Sequence, residues 1–469
     1  MAIAATCVWE VRPTNGVDTN SGGFVPGQAS PGTDWSQQNA AQYALSGLTS
    51  SAANAVILTA SAAADMKDNI INVTGGTNAT TGHYQIISVV VGVSITVDRN
   101  WCTGAVASGT ANIGGAKQTI GAMHTILTTA NQSAIGQIVY VKAEATITVG
   151  ATLTFSPNGT ASGYASQLIG YTSSRTDNGY VTIQATSGSS YTIFTCSPNS
   201  LVVKNFIFDG NSRTGVSGST CNSGGLQMEN CKAINCLGTG ITFTSRDSKC
   251  VRCIVTASVN GFNCDGGNGH NTFIECIAYS NTGVGFTVQA SILIRCISAN
   301  NSGGSSDGFG GASPMNGNAG DLVVYQCLAY ANGRDGFRFG SSIVKPVVFV
   351  NNIAWGNSGK DILFVTNQPV AGSVFADYNA LVTNTLYPSG AHDVTLTGDP
   401  TVAGGSNNFA LNNTAGAGAA CRAAGFPGVL TVGGTGYADL GPLQHQDTPS
   451  TTTVIVAPTI NRIITEEIY

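Results

Sequence analysis

A pair of carboxylates on one face of a fold can cut a sugar chain, and this chain offers candidates: Asp265 with His270, then Asp307, Asp335 and Asp361. Two carboxyls about 5 Å apart supply the nucleophile and the general acid of a retaining glycosidase. Their mutual repulsion raises the pKa of one and keeps its proton available. The last three follow members of a recurring phrase, described below, by 11, 8 and 9 residues, which would set them on one corner of adjacent turns. Their neighbours argue for a blander role. Asp265-Gly266, Asp307-Gly308 and Asp335-Gly336 are turn dipeptides, in which Asp bonds nearby backbone and Gly takes a positive φ. His270, between Gly269 and Asn271, has a loop context. The expectation is no catalytic set, with the Asp column as the alternative.

Metal chemistry is a weaker fit. Cys250-Val251-Arg252-Cys253 has zinc-ligand spacing, but no second CxxC or HxxxH completes a tetrahedron. No stretch groups three acids as calcium needs. Neither a metal nor a cofactor is expected.

What would position such residues is a repeat. Ile274-Glu275-Cys276-Ile277-Ala278-Tyr279 returns as Val324-Tyr325-Gln326-Cys327-Leu328-Ala329-Tyr330 and as Phe349-Val350-Asn351-Asn352-Ile353-Ala354-Trp355. Aligning its centre gives a ladder of Asn205, Cys231, Cys253, Cys276, Cys296, Cys327, Asn352 and Asn379, with steps of 26, 22, 23, 20, 31, 25 and 27 residues. A period in the twenties made of short Val/Ile/Phe/Thr runs, punctuated by Gly, Asn and Ser, is a β-solenoid without room for a helix in each repeat. Successive turns stack about 4.8 Å apart, so like residues lie over like. The ladder is expected to point inward. Asn281, Asn301, Asn332, Asn357 and Asn384, each five past a ladder position, are expected to form a second stack at a corner. Gly285-Phe286, Gly308-Phe309 and Gly336-Phe337 follow at a third recurring place. The 31-residue step contains an insertion, Gly303 to Asp321, expected to be a surface excursion.

Composition agrees with a rod whose surface is Ser, Thr and Asn. Of 469 residues 60 are glycine, 42% are hydrophobic and only 9% are charged, which is too apolar for disorder. A net charge of -5 with no basic run argues against nucleic acid as a partner. No apolar run approaches a membrane span, so no membrane partner is expected. The start, Met1 to Glu10, has no basic n-region or long apolar core, which predicts synthesis in the cytoplasm without a signal peptide. The cysteines at equivalent ladder positions are expected to be buried, reduced and unpaired.

Three segments follow. Residues 1–115 read as a β-rich N-terminal attachment domain. Within it Trp9 to Arg12 is a first strand, Ser36 to Leu48 a short helix, and Ala55–Ala60, Asn69–Val73, His83–Val91 and Val93–Val97 are strands. Residues 116–446 form the coil. A helix near 119–129, with Ile120, Met123, Ile126 and Leu127 on one face, caps its open end, and Ala438 to Gln444 is a closing strand. Residues 447–469 are an apolar extended tail suited to docking.

The ladder, the preceding helix and the closing Asp399-Pro400 … Asp439-Leu440-Gly441 resemble right-handed, single-stranded parallel β-helix proteins of the pectate-lyase-like class, over roughly Lys117 to Gln446. The opening Trp9-Glu10-Val11-Arg12 … Asp18-Thr19-Asn20-Ser21-Gly22-Gly23-Phe24 is similar to β-helix virion proteins of tailed bacteriophages. That resemblance implies a homotrimeric virion component, on the head surface or the tail. Such a component contacts other virion proteins through its N-terminal domain and C-terminal tail, with host polysaccharide as a further partner. The competing expectation is a tailspike-like polysaccharide depolymerase, hydrolase or lyase, working through the Asp residues. Gly267-Asn268-Gly269-His270 departs from the Gly-His-Gly of the polygalacturonase type, and no Arg-x-Lys follows it.

Overall fold

A computed structural model describes residues 6–128, 136–157, 166–188, 190–197, 201–222, 224–264, 270–310, 322–340, 346–365, 374–385, 387–422, 424–426 and 438–444. It is a parallel β-helix: each turn contributes one short strand to each of three sheets, here sheets A, B and C. Among the described residues sheet A has 12 strands, sheet B has 11, and sheet C has six plus three. The two parts of sheet C are joined by the bridges Phe286↔Phe309↔Phe337. Sheet A is parallel apart from its first pair, Val8–Val11 against Gly23–Phe24.

Single residues make the bends. Between sheets A and B the chain turns at Asn205, Asn230, Arg252, Glu275, Arg295, Gln326, Asn351 and Tyr378, all with φ between 52° and 64°. A left-handed residue other than glycine costs roughly 1–2 kcal/mol, so the column needs bonds that hold it. The next residue supplies them, because it points inward on every turn. Asn352 Nδ2 donates to Val324 O at 3.0 Å and to Asn379 Oδ1 at 3.0 Å, while its own Oδ1 accepts from Cys327 N at 2.9 Å. The cysteines above reuse the acceptor: Cys276, Cys296 and Cys327 Sγ donate to the carbonyls of Cys250, Phe273 and Leu293 at 3.4, 3.4 and 3.7 Å. Thiol and amide thus do the same work at equivalent positions.

The second corner, between sheets B and C, repeats the device. Asn281, Asn301 and Asn332 are fully buried. Asn281 Nδ2 donates to Asn301 Oδ1 at 3.0 Å, Asn301 Nδ2 to Asn332 Oδ1 at 2.8 Å, and Asn332 Nδ2 to Asn357 Oδ1 at 2.9 Å. Phe262, Phe286, Phe309 and Phe337 stack along sheet C with centroids 4.7, 4.9 and 4.8 Å apart, the rung spacing itself. All thirteen cysteines are buried, and none forms a disulfide. Burial pushes the Cys296 thiol well above its usual range, as suits an inert core group.

Several expectations are corrected by register. Asn205 is not in the inward ladder. Pairing sets Ile207 over Lys232 and Phe208 over Ala233, so Phe206 lies over Cys231 and Asn205 over Asn230 at the bend. There Asn205 accepts from Asn230 Nδ2 at 2.8 Å. Asn384 leaves the second stack as well: it is exposed and pairs with Ile362 in sheet C. The insertion begins later than expected, since Asp307, Gly308 and Phe309 belong to the coil; residues 311–321 lie outside the described residues, as does the tail from 445 on. Ala438 to Gln444 makes no strand. Leu440 N bonds Cys421 O, and Gly441 N bonds Asn351 O at 2.7 Å, at the bend between sheets A and B.

The N-terminal part is a closed six-stranded antiparallel barrel spanning Tyr43 to Ile113, with Leu48, Ile57, Ile71, Ile86, Ile95 and Ile113 inside. The helix expected over Ser36 to Leu48 is absent: Tyr43–Ser50 is a strand paired along Val106–Ile113. The apolar spacing of Leu45 and Leu48 fits a helix face equally well, and a β-bulge between them sets both inward in the sheet. Val8–Val11 stays outside the barrel and pairs in parallel with Ile138–Lys142 as the first rung of sheet A. The barrel is therefore inserted between the first and second rungs. The return is made at Gly114 and Gly115, both at φ 76°, where a Cβ would lie 2.6 Å from Trp35 Cβ and 2.5 Å from Asn20 Nδ2.

The capping helix runs Ile120–Thr128 and buries Ile120, Met123, Ile126 and Leu127 against the coil core. Asp18 fixes its start, accepting from Gln118 N, Thr119 N and Thr119 Oγ1, each at 2.9 Å. Asp18→Ala is expected to cost about 1–2 kcal/mol, read as a lowered thermal midpoint and faster amide exchange within the helix.

Candidate functional site

The candidate carboxylates lie where the chain enters sheet C. Gly308 and Gly336 are required there by packing, with no left-handed φ. A Cβ on Gly308 would lie 2.7 Å from Asn332 Nδ2, and one on Gly336 2.7 Å from Asn357 Nδ2. The glycines make room for the asparagine stack, which corrects the positive-φ reading of Asp307-Gly308 and Asp335-Gly336.

Asp307 and Asp335 do share a column. Gly285 N bonds Asp307 O and Gly308 N bonds Asp335 O, at 3.0 and 2.8 Å on consecutive turns. Asp361 is one place out of line. Phe337 N bonds Asp361 O and Gly336 N bonds Lys360 O, so Asp361 lies over Gly336 and Lys360 over Asp335.

Two arginines occupy the space between the paired carboxylates. Arg334 Nε donates to Asp307 Oδ1 at 2.5 Å, its Nη2 bonds Asp307 Oδ2, and Nε lies 3.8 Å from Asp335 Oδ2. Arg338 reaches Asp307 and Asp335 at 3.8 and 3.9 Å. Backbone takes more of the acceptor capacity: Asp335 N donates to Asp307 Oδ1 at 3.3 Å and Lys360 N to Asp335 Oδ1 at 2.8 Å. Asp307 is 0% exposed and Asp335 5%. The four charges sum to zero and hold three successive turns together.

Asp361 finishes the second asparagine stack. Its Oδ1 accepts from Asn357 Nδ2 at 2.9 Å, and Oδ2 from Val382 N and Thr383 N at 2.9 and 3.1 Å. Burial raises its pKa above the usual range, and those three bonds pull the other way. It is 2% exposed, so this perturbed carboxyl is closed to a substrate. His270 is exposed at a left-handed turn residue, φ 66°, with its N–H on Ala290 O. Asp265 lies outside the described residues. Of the expected site, the structure brings together Asp307 and Asp335, adds Arg334 and Arg338, and assigns Asp361 to the second asparagine stack. The spacing Arg334-Asp335-Gly336-Phe337-Arg338 was the available signal for the arginines: residue 338 alternates outward from the inward Phe337.

No family model and no curated protein matches this chain. Among solved structures it is similar to a pectate lyase, Pel9A, at 12% identity over 71% of this chain and 92% of that one, with a TM-score of 0.44. It is also similar to the A-module of the mannuronan C-5 epimerase of Azotobacter vinelandii, at 14% identity over 60% and 78%, TM-score 0.33. A third match is the ORF18 protein of Geobacillus virus E2, at 13% identity over 59% of this chain and 57% of that one, TM-score 0.32.

Proposed function

We propose that this chain is a structural component of a tailed-bacteriophage virion, a rigid β-helix on the head surface or the tail. On this reading it is a homotrimer that docks on other virion proteins through its N-terminal domain and its C-terminal tail. One observation carries the structural role. Asp307, Asp335 and Asp361 all bond neighbouring turns of their own coil. The bond partners are arginines, backbone amides and the end of an asparagine stack. A carboxylate committed in this way acts as a fastener, and a rod needs fasteners at every turn. The resemblance of the opening residues to phage β-helix proteins supplies the setting. A polysaccharide depolymerase is the second reading, favoured by the shared column of Asp307 and Asp335.

The two readings separate on one measurement. Full-length protein incubated with bacterial capsular polysaccharides, alginate and polygalacturonate is expected to release neither reducing ends nor unsaturated uronates, while antibody to it labels intact particles. Release that Asp307→Asn or Asp335→Asn abolishes without unfolding the chain overturns the structural reading. On that reading the Asp307→Asn change instead costs about 2 kcal/mol, from the weakened charge-assisted bonds to Arg334.

A further inference from the structure

The first rung of the coil is incomplete. Val8–Val11 gives sheet A a strand beyond Ile138–Lys142, but sheet B has no matching strand among the described residues: its first member is Ile147–Val149. The chain turns away past Pro13, where Gly16 N bonds Arg12 O at 2.8 Å. Side chains of the rung beneath show the effect. Ile147 stands in the inward column of Ile183, Phe208 and Ala233, and Leu153 in that of Phe194. The later members are all 0% exposed, whereas Ile147, Val149 and Leu153 are only partly buried. They border a cavity of about 400 Å³, whose other walls include Pro13 and, from the capping helix, Ile120 and Gly121. No charged side chain lines it.

The backbone is unfinished in the same place. Thr186 N bonds Val149 O at 2.9 Å, so Val149 and Ile147 turn their peptide groups to the strand beneath. Peptide groups alternate along a strand, which turns the N–H and C=O of Thr148 the other way, to the free edge. No described strand pairs with them there. An open edge of this kind recruits an extended chain.

These features select one occupant. A donor and an acceptor on one residue of a strand edge are the match for a peptide backbone. The apolar lining makes charge costly on any side chain pointing inward. A second copy of the chain is too large a guest: three strand residues present far less than the roughly 800 Å² per partner of a stable association.

We propose that this groove takes an extended, uncharged segment of another protein, which adds a strand to sheet B beside Ile147–Val149 and completes the first rung. Such a segment gives the docking role proposed above a place to act; only its coming from a virion protein rests on that reading. Particles that antibody fails to label would remove the virion reading and leave the groove's chemistry standing.

Fluorescein-labelled Val-Thr-Ile-Gln-Ala amide copies Val181–Ala185, the strand already paired with Ile147–Val149, and serves as the probe. Titrated into the full-length protein and followed by anisotropy, it is expected to bind saturably and to slow amide exchange across residues 145–150 several-fold. Thr148→Pro removes the N–H at the free edge and leaves the pairing beneath intact. It is expected to weaken binding about tenfold. Gly121→Phe should do the same from the helix side, since a Cβ there meets nothing nearer than Thr119 Oγ1 at 3.9 Å. Both variants are expected to keep the thermal midpoint of the parent. The same peptide with aspartate at its first, third and fifth positions is expected not to bind. No saturable binding up to about 1 mM, unchanged affinity in either variant, equal binding of the aspartate peptide, or slow exchange at 145–150 before peptide is added would each overturn the proposal.

Discussion

Asn352→Leu is expected to destabilise the C-terminal half of the coil by about 3–5 kcal/mol. The substitution keeps the volume and removes three bonds from a buried position 1% exposed. It leaves Cys327 N, Val324 O and Asn379 Oδ1 without those partners. Each buried polar group left unsatisfied costs about 1–3 kcal/mol, and the added apolar contact returns only part of that. Asn352→Cys is expected to cost markedly less, about 1–2 kcal/mol, because Cys327 on the adjacent turn already shows a thiol donating to the matching carbonyl. Urea unfolding followed by hydrogen exchange, resolved by peptide, measures both. A solenoid need not unfold in one step, so the change should concentrate in residues 322–385. Equal losses for Leu and Cys would show that the amide's bonds are not what holds this bend.

Arg175→Ala is expected to be comparably severe, about 3–5 kcal/mol at neutral pH, because it leaves a buried carboxylate with Arg12 Nε, 3.7 Å from Glu10 Oε1, as its remaining ion-pair partner. Glu10, on the first rung of sheet A, is 0% exposed. Arg175 Nε and Nη2 donate to its Oε2 at 2.9 and 2.7 Å, and Tyr171 Oη bonds Oε1. The same guanidinium bonds Ser36 Oγ at 3.1 Å and lies over the Tyr140 ring at 4.8 Å. It therefore ties the segment leading to the barrel to the coil. Burial raises the Glu10 pKa, and Arg175 is the foremost influence drawing it back down. A raised acid pKa means that the native state binds its proton more tightly than the unfolded chain. Its contribution to stability is full below the unfolded pKa and is lost as pH rises through the folded one. Without Arg175 the folded pKa rises further, so the cost of the substitution should shrink on acidification as Glu10 becomes neutral. Glu10→Gln in the Arg175→Ala background should recover most of the loss at pH 7. Thermal midpoints of the four proteins of this double-mutant cycle, at neutral and acid pH, check both statements.

The coil was legible in the chain because stacking is periodic: a thiol or amide useful on one turn is useful at the same place on the next. Cys231 through Cys327, Asn352, Asn379 and the run Asn281 to Asn357 were all readable on that ground, as was the capping helix from its apolar spacing. The misplaced residues share a cause. Asn205, Asn384 and Asp361 sit where turn lengths change, and a shift of one residue moves a side chain from inside to the bend or the outer face. Residue counting gives a repeat but not the number of residues absorbed at each corner.

Residue type and period by themselves determined the three-sheeted coil, its inward stacks and its buried cysteines, because those depend on what each position repeats. Only the tertiary structure decided what each carboxylate faces and that the first strand joins the coil across an inserted barrel. Those properties arise between turns distant in sequence: Arg334 meets Asp307 across 27 residues and Arg175 meets Glu10 across 165. No local pattern carries a pairing of that kind; it exists once the rungs are in register.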